Sequence, residues 1–470
     1  LLPCRALLGA RPHAAARGAA RAGRAPPLSS ARQGRAAPLV GAGETPATGE
    51  TGVYRGWRIV AVAFLTHCLT VGCVFYSFGV FFTPLITEFG WSRAELSWGF
   101  SAISIFGALY APLVGRLVDR HGPLPSQLCG VLVLGCTFML LGRVQSLLQY
   151  YVILAGLLSL GSTALGPIPS NTAVAGWFHR RRGRALGLAT AGISMGGVVF
   201  VPLSQMLISQ LGWRRAFVAL GATVLAVGLA PVALLMRKAP AELPPIERFP
   251  RASGAELESE IERSVTVREA VRDRNFWLIA AAFALTVMGL SAILLHQIPL
   301  LIDLGVSPAH AALALGATAG VGVVGKLGFG ALLDRFDQRR VIVACFLLQA
   351  AGLLLLPFAR VPALLVLYVL VYGYAMGGNA TLQATILGEC FGRLHYGAIA
   401  GRMSPFIVLS QAMAVPIVGW LRDRTGTYVP AILLIWLLTL AAALCISRLR
   451  LPARRAWRRV ESPSGGGVSL

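Results

Sequence analysis

Lysine is scarce in this chain. Of 42 Lys and Arg residues only Lys238 and Lys326 are lysines. Lys326 stands in an apolar, glycine-rich run, eight positions before the charged pair Asp334-Arg335. If that pair ends a membrane-crossing helix, Lys326 lies ~12 Å inside it, near the middle of a ~30 Å hydrocarbon layer. A cation at such depth costs several kcal/mol unless it faces water or an anion. It therefore reads as a point charge for a carboxylate, able to give up its proton when the site is empty; a lysine snorkelling to the interface is the competing reading. His296, in Leu295-His296-Gln297-Ile298-Pro299, has a side chain that titrates near neutrality. It could relay protons or bind a carboxylate, or simply hydrogen-bond between helices. His67 is a weaker candidate of the same kind. Tyr76, Asn171, Asn379 and Gln383 are polar groups in apolar runs, suited to lining a cavity or to satisfying kinked backbone near Gly and Pro.

A second kind of chemistry sits in a short charged turn. Gly115-Arg116-Leu117-Val118-Asp119-Arg120-His121-Gly122 lies between two apolar runs, and Gly330-Ala331-Leu332-Leu333-Asp334-Arg335 repeats it 215 residues later. Asp119 and Asp334, with Arg116, Arg120 and Arg335, are gating candidates: a carboxylate at a helix end can pair with cations, or lie by a helix N-terminus, in one conformation only. Plain positive anchoring is the alternative, and it suffices for Arg335 and for the run Arg180 to Arg184.

The elements that carry these residues are read from the apolar runs. A helix needs about 20 residues to cross a bilayer, and the runs at 58–82, 95–114, 124–142, 149–172, 185–208 and 215–236 qualify. A polar stretch follows, then runs at 276–301, 309–330, 340–358, 362–387, 398–421 and 429–447. Pro202 and Gly212 are echoed by Pro416 and Gly426, 214 residues on. This predicts an all-α membrane protein of 12 transmembrane helices in two pseudo-symmetric halves of six. The expected organisation is an Arg/Ala-rich disordered tail (1–53), an N-terminal bundle (54–236), a cytoplasmic linker (237–275), a C-terminal bundle (276–447) and a basic tail (448–470). The tail over 1–50 also has the Arg-rich look of a targeting segment. Duplicated six-helix halves are a transporter plan, with the substrate site near the midplane between them.

Loop charges give the expected orientation. Arg116, Arg120, Arg180 to Arg184, Arg335, Arg339, Arg340, the linker and the C-terminal tail fall on one face. Cations stay cytoplasmic, so both termini are expected inside, in the plasma or inner membrane. Arg214, Arg215, Arg422 and Arg424 are exceptions on the other face.

Composition excludes several classes. Hydrophobic residues make up 56% and charged ones 13%, half the charged share of a soluble domain. The net charge of +23 does not indicate nucleic acid, because the Arg residues sit in tails and short loops rather than on one basic face. The eight Cys residues form no Cys-x-x-Cys pair, so neither disulfide nor metal is expected. No Gly-x-x-x-x-Gly-Lys-Ser/Thr loop occurs for ATP drive, and no Ser/His/Asp set has catalytic context. Gly99, Gly107, Gly187, Gly192, Gly196 and Gly197 are expected to let helices approach closely.

The signature turn and its second copy make the chain resemble the major facilitator superfamily. Within it the chain is similar to the bacterial monocarboxylate-transporter-like group, with oxalate/formate exchangers as cousins. The residues behind this are Gly56-Trp57-Arg58, Glu88-Phe89-Gly90-Trp91-Ser92-Arg93, Trp177-Phe178 with the Arg run, His296, Phe391-Gly392 through Gly397, and Asp423-Arg424-Thr425-Gly426, over about 54–447. Two departures stand out. Tyr76 falls where animal members carry a helix 1 Lys, and Lys326 where the family tends to place Arg, with Gly322 one turn earlier in place of an Asp.

The resemblance implies a non-enzymatic secondary transporter of a small organic anion, a monocarboxylate foremost, working by alternating access. Lys326 is expected to hold the carboxylate, with His296, Tyr76, Asn379 and Gln383 assisting and Asp119 and Asp334 gating. A proton or a counter-anion is the expected coupling species. No cofactor, nucleic acid or obligatory protein partner is expected beside the lipid bilayer. Efflux of a hydrophobic compound and a transport-dead membrane sensor are the alternatives.

Overall fold

The computed structural model describes residues 55–178, 181–237, 265–392 and 396–450, without the side chains of Arg182, Asp334 and Tyr396. The expected tails, most of the expected linker and Lys238 lie outside the described residues. Among the described residues twelve helices are long and apolar enough to cross a membrane: α1 (Gly56–Phe89), α2 (Arg93–His121), α3 (Pro123–Leu141), α4 (Leu147–Trp177), α5 (Gly183–Leu211), α6 (Trp213–Leu235), α7 (Arg274–Asp303), α8 (Pro308–Leu333), α9 (Gln338–Phe358), α10 (Pro362–Phe391), α11 (Gly397–Thr425) and α12 (Val429–Ser447). Each expected run overlaps one of them. Every regular element among the described residues is helical. Because successive helices return the chain across the bundle, Arg55 and the α2–α3 turn share one face, called near here; Gly90 and the α7–α8 turn share the far face.

Local signals set the far-face turns. Ser92 accepts from the Glu95 backbone while the Glu95 carboxylate accepts from the Ser92 backbone, a capping box that starts α2. Ser307 caps α8 through the His310 backbone. The chain reverses at Gly90 and Gly305 with φ of 68° and 87°, and at Gly212 and Gly426 with φ of 75° and 74°. Left-handed backbone suits glycine, so the second pair gives the 214-residue echo a physical cause.

α1 changes its helical type along its length. α1 is α-helical to Val71, π-helical over Gly72–Tyr76 and 3₁₀ over Ser77–Phe81 before resuming at Phe82. Ser77 Oγ donates to the Gly72 carbonyl at 2.8 Å, the same oxygen on which the Ser77 backbone N–H closes the π-helical turn. Small residues then permit close crossings. A Cβ on Gly196 would stand 2.6 Å from the Cys68 carbonyl oxygen and one on Gly72 2.7 Å from Gly196 Cα, while Gly192 abuts Phe64 O. Gly99 lies against the Tyr150 ring, Gly107 against Thr163 and Gly197 against Ala319 and Tyr76; around Gly187 the space is open. Five of the six glycines expected at helix contacts are at one.

A short helix, Val267–Arg272, precedes α7 under its own capping box, Thr266 with Glu269. These hydrogen bonds from the Thr266 backbone and hydroxyl hold the Glu269 carboxyl below its ordinary range. Val265 N donates to Phe391 O at 3.1 Å, tying the end of the linker to α10.

Candidate functional site

Three polar side chains share one level between the halves. Lys326 Nζ of α8 donates to Ser194 Oγ of α5 at 3.0 Å, a bond across the two halves. Ser194 lies between Gly192 and Gly196, the residues that press α5 onto α1 at Phe64 and Cys68, and this crossing brings His67 to the same depth. His67 is fully buried. Its Nδ1 lies 2.6 Å from Ala63 O; a carbonyl only accepts, so Nδ1 carries the proton. Nε2 is buried without a partner.

Tyr76 is buried in the π-helical turn of α1 with its ring against Gly197. Asn379 donates from Nδ2 to Met376 O at 3.3 Å, one turn back in α10, and its Oδ1 has no partner; Gln383 follows on the next turn, half-buried. Asn171 Oδ1 is likewise buried and unpartnered. α8 and α10 touch closely at Gly322 with Gly377 and Gly325 with Tyr374, so Asn379 and Gln383 stand beside the Lys326 level, one to two turns towards the near face.

His296 is placed elsewhere. It is 1% exposed, seven residues from the end of α7 and so ~10 Å from the far face. Nε2 donates to Val415 O at 3.0 Å and lies 3.3 Å from Ser97 Oγ across the halves. Nδ1 then accepts from the Tyr428 hydroxyl at 3.2 Å. With both ring nitrogens engaged and Phe82 edge-on at 5.7 Å, His296 seals the far-face seam rather than joining Lys326.

Beyond His296 lies an ion network. Asp303 at the end of α7 takes Arg93 Nη2 of α2 at 2.8 Å and Arg422 Nε of α11 at 2.8 Å. Asp423 accepts from the Ala94 backbone at 2.9 Å, and Ser101 Oγ donates to Ala412 O. Both guanidinium groups stand 5.7 Å from the Tyr428 ring centre. Burial pushes the Tyr428 phenol well above its usual range, which keeps it a hydrogen-bond donor to His296. Among the described residues, inter-half hydrogen bonds and ion pairs lie on the far side or at Lys326.

The expected gating residues occupy the opposite face. Arg116, Asp119, Arg120 and Arg335 are exposed, and Arg116 Nε donates to Pro112 O in its own helix at 3.2 Å. The Asp334 side chain lies outside the described residues. Gly115, Gly187, Gly330, Gly397 and Gly401 have nothing within 4 Å of where a Cβ would stand, so the near-face ends of α2, α5, α8 and α11 are apart there.

Reading single residues misses Ser194, Ser97 and the Arg93–Asp303–Arg422 network. One signal was present: Arg422 and Arg214 broke the charge asymmetry of the loops. Each is held by a carboxylate, Arg422 by Asp303 and Arg214 by Glu88 at 2.7 Å.

Comparison with known proteins agrees with this architecture. Monocarboxylate transporter 13 of Bos taurus is 29% identical over 378 residues, 79% of this chain and 84% of that protein. Monocarboxylate transporter 12 of Mus musculus is 27% identical over 431 residues, 87% of this chain and 88% of that one. In fold, the chain is similar to a bacterial homologue of the human lysosomal transporter Spinster in inward-facing, occupied form. The TM-score is 0.63 at 15% identity, over 85% of this chain and 96% of that chain. The family pattern described as Major Facilitator Superfamily matches residues 63–328 and 289–468, and the chain, similar in sequence to monocarboxylate transporters, therefore belongs to the Major Facilitator Superfamily of membrane transporters.

Proposed function

We propose that this transporter carries a small organic anion, a monocarboxylate foremost, by alternating access, with the near face cytoplasmic. The observation that carries the reading is the Lys326 ammonium at membrane depth, bonded at 3.0 Å to Ser194 of the other half. A buried cation whose hydrogen-bond partner is a neutral hydroxyl leaves a positive charge to be met by substrate. A carboxylate entering between the two can accept from both, replacing one neutral hydrogen bond by two, one of them charge-assisted. The names of the relatives support a monocarboxylate.

Tyr76, Asn379 and Gln383 would shape the rest of the site around the organic part of the anion. His296 would act from the seam, as part of the far-side closure. The distribution of cations in the near-face loops supports a cytoplasmic near face, with both termini on that side of a plasma or inner membrane. In this arrangement the far side is shut and the near side parted, so Asp119 and Asp334, with Arg116, Arg120 and Arg335, would engage in the opposite state.

The test is counterflow of a radiolabelled monocarboxylate panel in proteoliposomes, with Lys326→Ala, Lys326→Arg and Ser194→Ala beside wild type. Lys326→Ala is expected to abolish exchange of the accepted acid, Lys326→Arg to retain part of it, and Ser194→Ala to weaken binding by ~2- to 10-fold, one hydrogen bond. Uptake indifferent to Lys326 would overturn the anion reading in favour of efflux of a hydrophobic compound.

A further inference from the structure

We propose that His67 is the proton carrier of this transporter, binding one proton at Nε2 for each anion held at Lys326. The inference rests on the anion reading above. His67 is wholly buried, its Nδ1–H is committed to Ala63 O at 2.6 Å, and its basic nitrogen is left without a partner. In a neutral imidazole that nitrogen is a lone pair, and the crossing of α5 with α1 sets the ring at the level of the Lys326–Ser194 bond.

The surroundings limit what else the ring can answer to. α4 brings Ser170 to Thr66 Oγ1 at 2.9 Å and presents Asn171. α5 brings Ser194 and the two glycines against Phe64 and Cys68. α6 meets the next turn of α1 through Gly228, beside Leu69. Cys68 is the titratable neighbour on α1 itself. Lys326, from α8, is the only group among these with a full charge.

Charge accounting then couples the two ligands. In the proposed scheme Lys326, instead of giving up its proton when the site empties, stays an ammonium beside a neutral His67, and a proton on Nε2 is opposed by burial and by the like charge. When a carboxylate lies against Lys326, that opposition is cancelled. A proton from water adds to the Nε2 lone pair, giving an imidazolium that faces the anion. The proton is lost to water on the other side when the anion leaves. The site carries one positive charge both empty and loaded, so neither reorientation moves a different charge across the membrane. By linkage, each ligand raises the affinity for the other.

The experiment uses full-length protein in proteoliposomes, with the acid accepted in counterflow, under valinomycin with equal potassium on both sides. A gradient of one pH unit should drive ~10-fold accumulation in wild type, one proton per anion. His67→Asn, whose amide can still donate to Ala63 O, and His67→Gln should exchange labelled acid but bring the accumulation ratio to ~1. Either variant accumulating acid as wild type does would overturn the role of His67 alone. So would both variants losing counterflow together with accumulation, which would make the ring structural or a ligand group. Wild type that exchanges acid without responding to the pH gradient would do the same. No acid exchanged by wild type would overturn the anion reading itself, and the inference with it.

Discussion

The far-side network permits a quantitative test of alternating access. Arg93 and Asp303 belong to different halves, so their 2.8 Å contact has to break when the far side opens. Asp303 and Arg422 belong to the same half, so theirs survives opening. Arg93→Gln removes the cross-half charge while leaving Asp303 paired. A hydrogen bond to a charged group contributes about 1.5–3 kcal/mol, but these side chains are 19% and 25% exposed, so screening reduces it to ~1–1.4 kcal/mol. The equilibrium between far-closed and far-open states should shift by ~5- to 10-fold. Ser101 reports the shift: it is 1% exposed and bonded to Ala412 when the far side is shut. In a background with the native cysteines replaced, an impermeant maleimide added from the far side should label Ser101→Cys ~5- to 10-fold faster with Arg93→Gln, because the rate follows the open fraction. Arg422→Gln should change it far less. An unchanged rate with Arg93→Gln, or equal acceleration by Arg422→Gln, would refute the assignment of this network as the far gate.

Two further substitutions separate packing from chemistry. Gly192→Leu drives a side chain onto Phe64 O and Cα and should separate α1 from α5, at a cost of several kcal/mol; loss of monodisperse protein in detergent is the expected result, and a well-folded variant would contradict the close crossing. His296→Ala removes the hydrogen bonds to Val415 O and the Tyr428 hydroxyl and should destabilise the protein by ~1–3 kcal/mol, seen as a lower thermal midpoint. Exchange affinity should hold. An affinity loss at unchanged midpoint would return His296 to the substrate site.

What could be read in the sequence follows from the range of the forces involved. Membrane helices are local: each apolar run satisfies its own backbone, so the twelve spans and the duplicated halves were legible from run length and a charged turn repeated at fixed offset. The depth of Lys326 was legible for the same reason, as a count of residues along one helix. Its partner was not, because Ser194 reaches it only through the crossing of α5 with α1 and α8, and a serine in an apolar run carries no mark of which helix it faces. His296 shows the limit. Its chemistry suited a site, yet three contacts from α2, α11 and the turn before α12 commit it to the seam. The π-helical turn at Gly72–Tyr76 had no signal beyond glycine content.

The departures from the animal pattern have a shared consequence. The resemblance led to an Asp one turn before Lys326, where this chain has Gly322. Here a Cβ would stand 3.4 Å from Met376 Cε, and a Cβ on the facing Gly377 would meet the Gly322 carbonyl. The close crossing of α8 and α10 therefore requires glycine at Gly377, while a Cβ at Gly322 would stand at ordinary contact distances. With glycine at 322, Lys326 has no counter-charge one turn away in its own helix. Tyr76, in place of a helix 1 Lys, removes a second cation from the same region. The site thereby keeps one positive charge with a neutral hydroxyl partner, Ser194, a state that is costly when dry and relieved by one negative charge. In the proposed reading, an anion held at Lys326 is thus the arrangement that lowers the energy of the closed, desolvated site.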